Sequence, residues 1–238
     1  MLSPSPFYQD LFQALNHGVW MSLALIVPSA LGGVAIGIVT GVIRAFAPRW
    51  LRKIGDFYTA LFRGTPLVVQ LFVLYYGLPK LGDFVNLFAS LPGLAGKGIY
   101  LSPYAAAVTG FMLCSGAYQS EYVRGALLSI KKGQYLGAQA LGFNSLQTFI
   151  SIIIPQALRK AIHGCGNEIV YLIKYSSLAY IVTCMELTGE GKAVASEYFR
   201  YTETFFVIGL YYLILVSLAM LVLKQIEKAL YIPGFGRG

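Results

Sequence analysis

Long stretches without a charged residue constrain this chain more than any other feature. Residues 11–43 contain none over 33 positions, and residues 98–120 and 204–223 contain none over 23 and 20 positions. A helix needs about 20 consecutive apolar residues to cross a bilayer. Only 12% of all residues are charged, whereas about a quarter are charged in a typical soluble domain. The sequence therefore predicts an all-α membrane protein.

Five membrane-spanning helices are predicted in a single domain that covers residues 1–238. They lie at about residues 15–43, 58–79, 102–122, 161–185 and 204–223. With the N-terminus outside, the inner segments carry twelve Lys and Arg residues and the outer segments carry four. Cytoplasmic loops are the ones enriched in Lys and Arg. We therefore expect a multi-pass protein with its N-terminus outside and its C-terminus in the cytoplasm.

The segment at residues 133–158 also lacks charge, but we do not predict that it spans the membrane. It contains several Gln, Asn, Ser and Thr residues, and its dense apolar run, 149–154, is interrupted by Pro155. That run is too short to cross a bilayer. We predict non-spanning helices joined by a turn near residues 142–145. The loop at 129–159 then lies on the cytoplasmic side.

Four segments in order along the chain carry a family pattern. In the loop, Leu136-Gly137-Ala138 is followed by Gly142 and then by the closing sequence Ile-Ile-Ile-Pro at 152–155. The other segments read FRGTPLVVQ at 62–70, SGAY with Glu121 and VRG at 115–125, and GN with KYSSLA at 166–179. The loop resembles the EAA loop of ABC importer permeases, and the other segments resemble polar amino-acid uptake permeases.

This resemblance implies the type I ABC importer permease fold, with the loop at 129–159 as an EAA-type coupling loop. It implies a non-catalytic permease subunit of an ATP-driven amino-acid importer in a bacterial or archaeal cytoplasmic (inner) membrane, surrounded by lipid. The implied partners are a second permease subunit (the same or a similar chain), two cytoplasmic ATP-binding subunits, an external substrate-binding protein and the amino-acid substrate.

The sequence contains no G-x-x-x-x-G-K-[ST] phosphate-binding loop. We therefore expect ATP and Mg²⁺ on the partner ATPase, and no cofactor or metal bound by this chain. Nucleic acid is not an expected partner, because the basic residues flank apolar runs and form no stripe.

The helix predicted within the loop is the expected contact with the ATPase. Gly142 would allow the turn that ends this helix. Leu136 stands where glutamate is usual in the EAA loop, which removes one charged contact from the expected interface. The candidate coupling residues are Gln134, Tyr135, Leu136, Gly137, Ala138, Gln139, Ala140, Leu141, Gly142 and Pro155.

Ionisable residues inside a membrane are candidates for a transport path, because burying charge in lipid is costly. Lys174 lies about halfway along the fourth predicted span and shares a helix face with Asn167 and Tyr171. A lysine there could bind a substrate carboxylate. The candidate substrate-path residues are Lys174, Asn167, Glu168, Tyr171, Tyr175, Ser115, Tyr118 and Gln119.

Alternatives stay open for several of these residues. Lys174 could be a structural lysine that extends toward the membrane surface. Helix packing explains Ser115 and Tyr118 equally well. We expect Arg63 to fix the inner end of the second span, and Glu121 to be structural or to act in gating.

Two positions depart from the family pattern and concern the substrate. Tyr175 stands where aspartate is common, and Cys114 stands where asparagine is common. Losing the aspartate removes one partner for a cationic side chain, so we expect a substrate other than mainly arginine or lysine. The alternative functions are a permease of the same architecture for another small polar solute, an ion-driven secondary transporter and a membrane enzyme.

Overall fold

The computed structural model describes residues 6–81 and 98–230, and within these ranges the chain is helical. The helices are α1 (Pro6–Phe46), α2 (Arg49–Gly64), α3 (Leu67–Phe72), α4 (Pro103–Leu128), α5 (Lys132–Ala140), α6 (Ser145–Thr148), α7 (Ile154–Tyr175), α8 (Leu187–Tyr198) and α9 (Tyr201–Ala229). A π-helical turn (Val73–Gly77) and a 3-10 turn (Leu78–Lys80) continue α3. The prediction of an all-α membrane protein is confirmed.

Among the described helices, α1 and α9 are each long and apolar enough to cross a membrane alone. They contain the first and last predicted spans. The 29 residues of α9 correspond to about 43 Å at 1.5 Å per residue. Large apolar side chains such as Phe206, Leu213 and Leu221 are exposed along α9. This exposed apolar surface is suited to contact with lipid.

The segment predicted to span at 58–79 is not one straight helix in the structure, because the helix breaks at Thr65 and Pro66. The segments before and after the break meet at 105°. Proline disfavours a helical conformation of the residue before it, and Thr65 is extended, with φ −116° and ψ 145°. The Gln70 amide holds the bend by donating to the carbonyls of Phe62 and Thr65 at 2.8 and 3.0 Å.

The helix α4 contains the predicted span at 102–122 and packs closely against α1. A Cβ atom added at Gly37 of α1 would lie 2.5 Å from the Cβ atom of Gln119, so glycine is required for this approach. Unlike α1 and α9, α4 is not apolar enough to cross a membrane unaided, although its 26 residues give it sufficient length. Its polar residues Ser115, Gln119 and Ser120 are buried against neighbouring helices instead of facing lipid.

The predicted span at 161–185 is part of a longer helical segment that runs from Ser145 to Val182 and includes a π-helical turn at Phe149–Ile153. Pro155, which ends the apolar run at 149–154, does not interrupt this helical segment. In the π-helical turn, the N–H of Ile154 donates to the carbonyl of Phe149. Pro155 follows in the first turn of α7, where its missing N–H costs little.

In the described chain, α1 and α9 can each cross the membrane as single helices. Two bent pairs of helices could each form one further span, which gives up to four spans. One is α2 with α3. The other is the segment 145–182 with α8, which meet at 53° after Thr183 in a left-handed conformation. The remaining predicted span, at 102–122, lies in α4, which the neighbouring helices enclose.

The buried carboxylate of Glu186 joins α8 to α9, and the next residue, Leu187, joins α8 to α1. It caps α8 by accepting hydrogen bonds from the backbone N–H groups of Thr188 and Gly189 at 2.8 and 3.0 Å. The hydroxyl of Tyr212 in α9 donates to the same carboxylate at 2.9 Å. The adjacent N–H of Leu187 donates to Ser22 of α1 at 3.2 Å. These bonds hold the end of the molecule opposite the loop at 129–159.

Candidate functional site

The helix α5 carries the exposed surface of the loop at 129–159. Leu136 is 65% exposed, and Leu141, directly after the helix, is 78% exposed. Ala138 is buried on the opposite side of the helix, and Tyr135 packs against an apolar cluster that includes Val123. Exposed leucines on a short helix form a surface suited to a protein partner.

A Schellman motif ends α5 at the predicted turn. The N–H of Phe143 donates to the carbonyl of Ala138 at 3.1 Å, and the N–H of Gly142 donates to the carbonyl of Gln139 at 3.0 Å. Gly142 has φ +84°, a conformation that glycine adopts without steric cost. The predicted turn is therefore confirmed, and its geometry depends on this glycine.

A capping box begins the next helix. Asn144 Oδ1 accepts from the N–H of Gln147, and Gln147 Oε1 accepts from the N–H of Asn144, both at 2.9 Å. The reversal between α5 and α6 is thus held by hydrogen bonds on both sides. As a result, α5 has a defined orientation relative to the membrane-spanning segments.

Two side-chain contacts connect the loop to the long helices. Gln156 at the start of α7 donates to Gln134 of α5 at 3.2 Å. Lys160 of α7 donates to the hydroxyl of Ser129, after the end of α4, at 3.2 Å. One contact thus joins α5 to α7, and the other joins α7 to the end of α4.

A charged cluster joins α1, α2 and α4 at the ends nearest the loop. Glu121 accepts hydrogen bonds from Arg63 at 2.6 Å and from Arg44 at 3.0 Å. Arg44 is buried and also donates to Asp56 at 2.7 Å and to Ser120 at 3.2 Å. Hydrogen-bonded charge pairs of this kind are stronger than neutral hydrogen bonds. Glu121 and Arg63 thus connect α4 to the end of α2 just before the bend.

A cleft of about 350 Å³ lies beside this cluster, between the bend, α4 and α7. Three of the family-like segments meet there. Its lining residues are Arg63, Gly64, Thr65, Pro66, Leu67, Cys114, Tyr118 and Tyr175.

Sequence reasoning selected two of these lining residues, Tyr118 and Tyr175, for the substrate path. It missed the contribution of Thr65 and Leu67 and gave Arg63 only a structural role. Pro66 indicated a bend at this position. The break was missed because the segment around Pro66 contains no charged residue and was therefore assigned to a single span. The Arg63 guanidinium lies 5.2 Å from the centre of the Tyr118 ring, a cation–π contact at the cleft.

Three of the predicted residues lie together on an exposed face of α7, outside the lining of this cleft. Lys174 Nζ lies 4.1 Å from the centre of the Tyr171 ring. Asn167, two turns earlier, lies 3.4 Å from His163 Nε2. The shared helix face is therefore as predicted. Lys174 pairs with no carboxylate in the described part of the chain.

Glu168 lies on a different face of α7 and is buried. Its Oε1 atom has no hydrogen-bond partner among the residues that the structure describes. It lies near Cys114 and Tyr175, two residues that line the cleft. The structure thus brings Glu168 near Tyr175 but separates it from the exposed face of Lys174.

Ser115 and Gln119 are not accessible within this chain. Both are buried, and Gln119 Nε2 donates to Ser115 Oγ at 2.9 Å. They face Gly33 and Gly37 of α1. Helix packing, one of the alternatives that the sequence left open for Ser115, therefore accounts for both side chains.

Comparison with known proteins gives one consistent result. A family model described as "Binding-protein-dependent transport system inner membrane component" matches residues 33–231. The octopine transport system permease protein OccM of Rhizobium radiobacter is 35% identical over 225 residues, which are 94% of this chain and 89% of that protein. The glutamine transport system permease protein GlnP of Escherichia coli is 32% identical over 218 residues, 92% of this chain and 93% of that protein.

A solved structure described as an amino acid ABC transporter with histidines has the same fold. It superposes with a TM-score of 0.81 at 23% sequence identity, covering 96% of this chain and all of the matched chain.

Proposed function

We propose a specific role from one established premise: the chain belongs to the binding-protein-dependent transport system inner membrane components, the permease subunits of ABC importers. In this role it forms part of the translocation path for a small amino acid or amino-acid-like solute. The observation that carries the proposal is the cleft beside Arg63, where the bend, α4 and α7 meet. The names of the relatives, which refer to glutamine and octopine transport, support this substrate class.

The cleft has the chemistry to hold a zwitterionic solute. Arg63 supplies a guanidinium group, and such a group binds carboxylates through paired hydrogen bonds. Glu168 is buried behind the lining, near Cys114 and Tyr175, and its carboxylate would attract the ammonium group of the solute toward that side of the cleft. Lys174, Tyr171 and Asn167 form an exposed polar face of α7 along which the solute could continue. Ser115 and Gln119 would support this path from behind, by positioning α4 against α1.

The two departures from the family pattern now have a common location. Cys114 and Tyr175 line the same cleft, although 60 residues separate them in the sequence. Neither side chain carries a charge at neutral pH. We therefore propose a substrate whose side chain is not mainly cationic.

In the proposed assembly, α5 binds a cytoplasmic ATPase subunit that carries ATP and Mg²⁺. The exposed Leu136 contributes apolar contact where the family pattern has glutamate. A second permease subunit completes the path, and an external substrate-binding protein delivers the solute on the side of Glu186. This arrangement places the N-terminus outside and the loop at 129–159 in the cytoplasm, as the excess of basic residues supports.

Uptake of labelled amino acids tests this function. The chain is reconstituted in vesicles with its ATPase and its binding protein, and uptake is measured with and without ATP. ATP-dependent uptake of an uncharged amino acid is the expected result. Uptake of another solute instead would support a permease of the same architecture with a different substrate. Uptake without ATP or the ATPase would contradict the proposed mechanism and favour an ion-driven transporter.

A further inference from the structure

The helix α2 has three distinct faces around its axis, and two of them are largely exposed; on one of these, Arg52 donates to the carbonyl of Ala47 at 3.3 Å. The first face packs against the rest of the protein. Gly55 and Thr59 are buried there, and the hydroxyl of Tyr58 donates to the carbonyl of Leu113 at 2.6 Å. These contacts fix the rotation of α2 and therefore determine where its other side chains lie.

The second face is an apolar stripe formed by Trp50, Ile54, Phe57 and Leu61. The spacing of four, three and four residues places these side chains on one side of the helix. All four are between 45 and 69% exposed. An apolar surface of this size next to a membrane-spanning fold needs an apolar environment.

The third face is basic and adjoins the apolar stripe. Arg49, Arg52 and Lys53 are exposed on it. The one acidic residue of α2, Asp56, already accepts a hydrogen bond from Arg44 at 2.7 Å. The three cations are therefore not neutralised by a carboxylate of α2 itself.

An apolar stripe beside a basic face fits a helix in the plane of a membrane surface. Such a helix buries its apolar side at the boundary between headgroups and acyl chains, and keeps Lys and Arg among the headgroups. A helix that crossed the bilayer core in this orientation would place cations in lipid, which is costly. The 105° bend after α2 allows α2 to lie in this plane while α3 turns into the bilayer.

We propose that α2 lies in the plane of the inner leaflet and binds the phosphate groups of anionic lipids through Arg49, Arg52 and Lys53. Trp50, Ile54, Phe57 and Leu61 enter the upper part of the acyl chains. The positive charge of the third face complements the negative headgroups, and this complementarity selects anionic lipid as the partner. The inference rests on the proposed function only for the cytoplasmic location of this end of α2.

Fluorescence of Trp50 measures this contact directly. The chain has two tryptophans, so Trp20→Phe leaves Trp50 as the only one. The full-length variant is reconstituted in phosphatidylcholine vesicles that contain the same mole fraction of brominated phosphatidylglycerol or brominated phosphatidylcholine. One basic residue at an anionic surface is worth about a fivefold change in association. Because three such residues act together, we expect brominated phosphatidylglycerol to quench Trp50 at least about fivefold more strongly than brominated phosphatidylcholine. Equal quenching by the two lipids would overturn the proposal.

A matched pair of charge variants locates the effect. In the Trp20→Phe background, Arg49→Gln with Arg52→Gln and Lys53→Gln should reduce the quenching ratio to near one. The control, Arg159→Gln with Lys224→Gln and Lys228→Gln, removes the same number of charges on the same side and should leave the ratio unchanged. An unchanged ratio in the α2 variant would contradict the assignment of these three residues.

The depth of the bromine atoms in the bilayer and the complete absence of Trp50 quenching provide two further tests. Bromine near the headgroup end of the acyl chain should quench Trp50 more than bromine near the methyl end, and the reverse order would exclude an in-plane α2. Absence of quenching by any brominated lipid would overturn the proposal, because lipid would then not contact the stripe. These readouts do not depend on transport, so their failure is distinguishable from failure of the proposed function.

Discussion

Arg63 donates a hydrogen bond of 2.6 Å to Glu121, although the two residues lie 58 positions apart in the chain. The same Glu121 carboxylate accepts from the buried Arg44 at 3.0 Å. One carboxylate thus joins α1, the end of α2 and α4 at the edge of the cleft. This cluster sets the position of the bend relative to the residues that we propose to contact the solute.

Replacing this carboxylate should destabilise the protein more than removing one of its partners. In Glu121→Gln, the buried Arg44 loses a charged acceptor, and leaving a buried donor poorly satisfied costs on the order of 1–3 kcal/mol. In Arg63→Gln, a half-exposed group is lost, and we expect a smaller effect, because exposed ion pairs contribute at most about 1 kcal/mol. Thermal unfolding in detergent compares the two variants. Equal losses, or no loss in Glu121→Gln, would contradict the role assigned to the cluster.

Gly142→Ala should weaken the coupling between this chain and its ATPase. A Cβ atom in the left-handed conformation costs about 1–2 kcal/mol, so the Schellman motif would loosen and α5 would lose its orientation. The measurement is stimulation of ATP hydrolysis by the loaded binding protein. Gly209→Ala in α9 is the control, because a Cβ atom there meets nothing within 4 Å. Normal stimulation in Gly142→Ala would show that the turn is not needed for coupling.

Leu136→Ala should weaken binding of the ATPase subunit. Burying a leucine side chain in an interface is worth about 1.5–3 kcal/mol, which corresponds to a loss of affinity of roughly tenfold or more. Binding of the purified ATPase to the reconstituted chain provides the measurement. Leu213→Ala removes an equally exposed leucine from α9 and should leave ATPase binding intact. An unchanged affinity in Leu136→Ala would exclude this leucine from the interface.

Tyr175→Asp should shift selectivity toward cationic solutes, because it adds a carboxylate to the cleft beside Cys114. A charged hydrogen bond contributes about 1.5–3 kcal/mol, so we expect competition by arginine to improve roughly tenfold or more. Competition during uptake in vesicles measures the change. Tyr175→Asn removes the ring without adding charge and should not produce the shift. If arginine competes equally well with both variants, Tyr175 does not contribute to selectivity.

The features that the sequence predicted correctly depend on local properties. The charge-free stretches predicted α1 and α9, because a single helix of sufficient apolar length meets the main requirement for crossing a bilayer. Gly142 and Asn144 predicted the turn of the coupling loop, because the left-handed conformation and the helix cap involve residues that are close in the chain. The absence of charge did not predict the break at Thr65 and Pro66, because it indicates that a segment is apolar but not in which direction its backbone runs.

The positions of the polar side chains depended on contacts between distant segments. Ser115 and Gln119 are polar residues within a predicted span, which suggested that they line a transport path. In the structure they are buried against Gly33 and Gly37 of α1. Their helix face could not be assigned from periodicity alone, because α4 is surrounded by other helices on several sides. In the same way, Cys114 and Tyr175 meet only because α7 folds back along α4 beside the bend. Sequence alone specified which segments are helical and apolar, whereas helix packing decided which polar groups are enclosed and which line a cleft, because side-chain burial is set by neighbours that are remote in the chain.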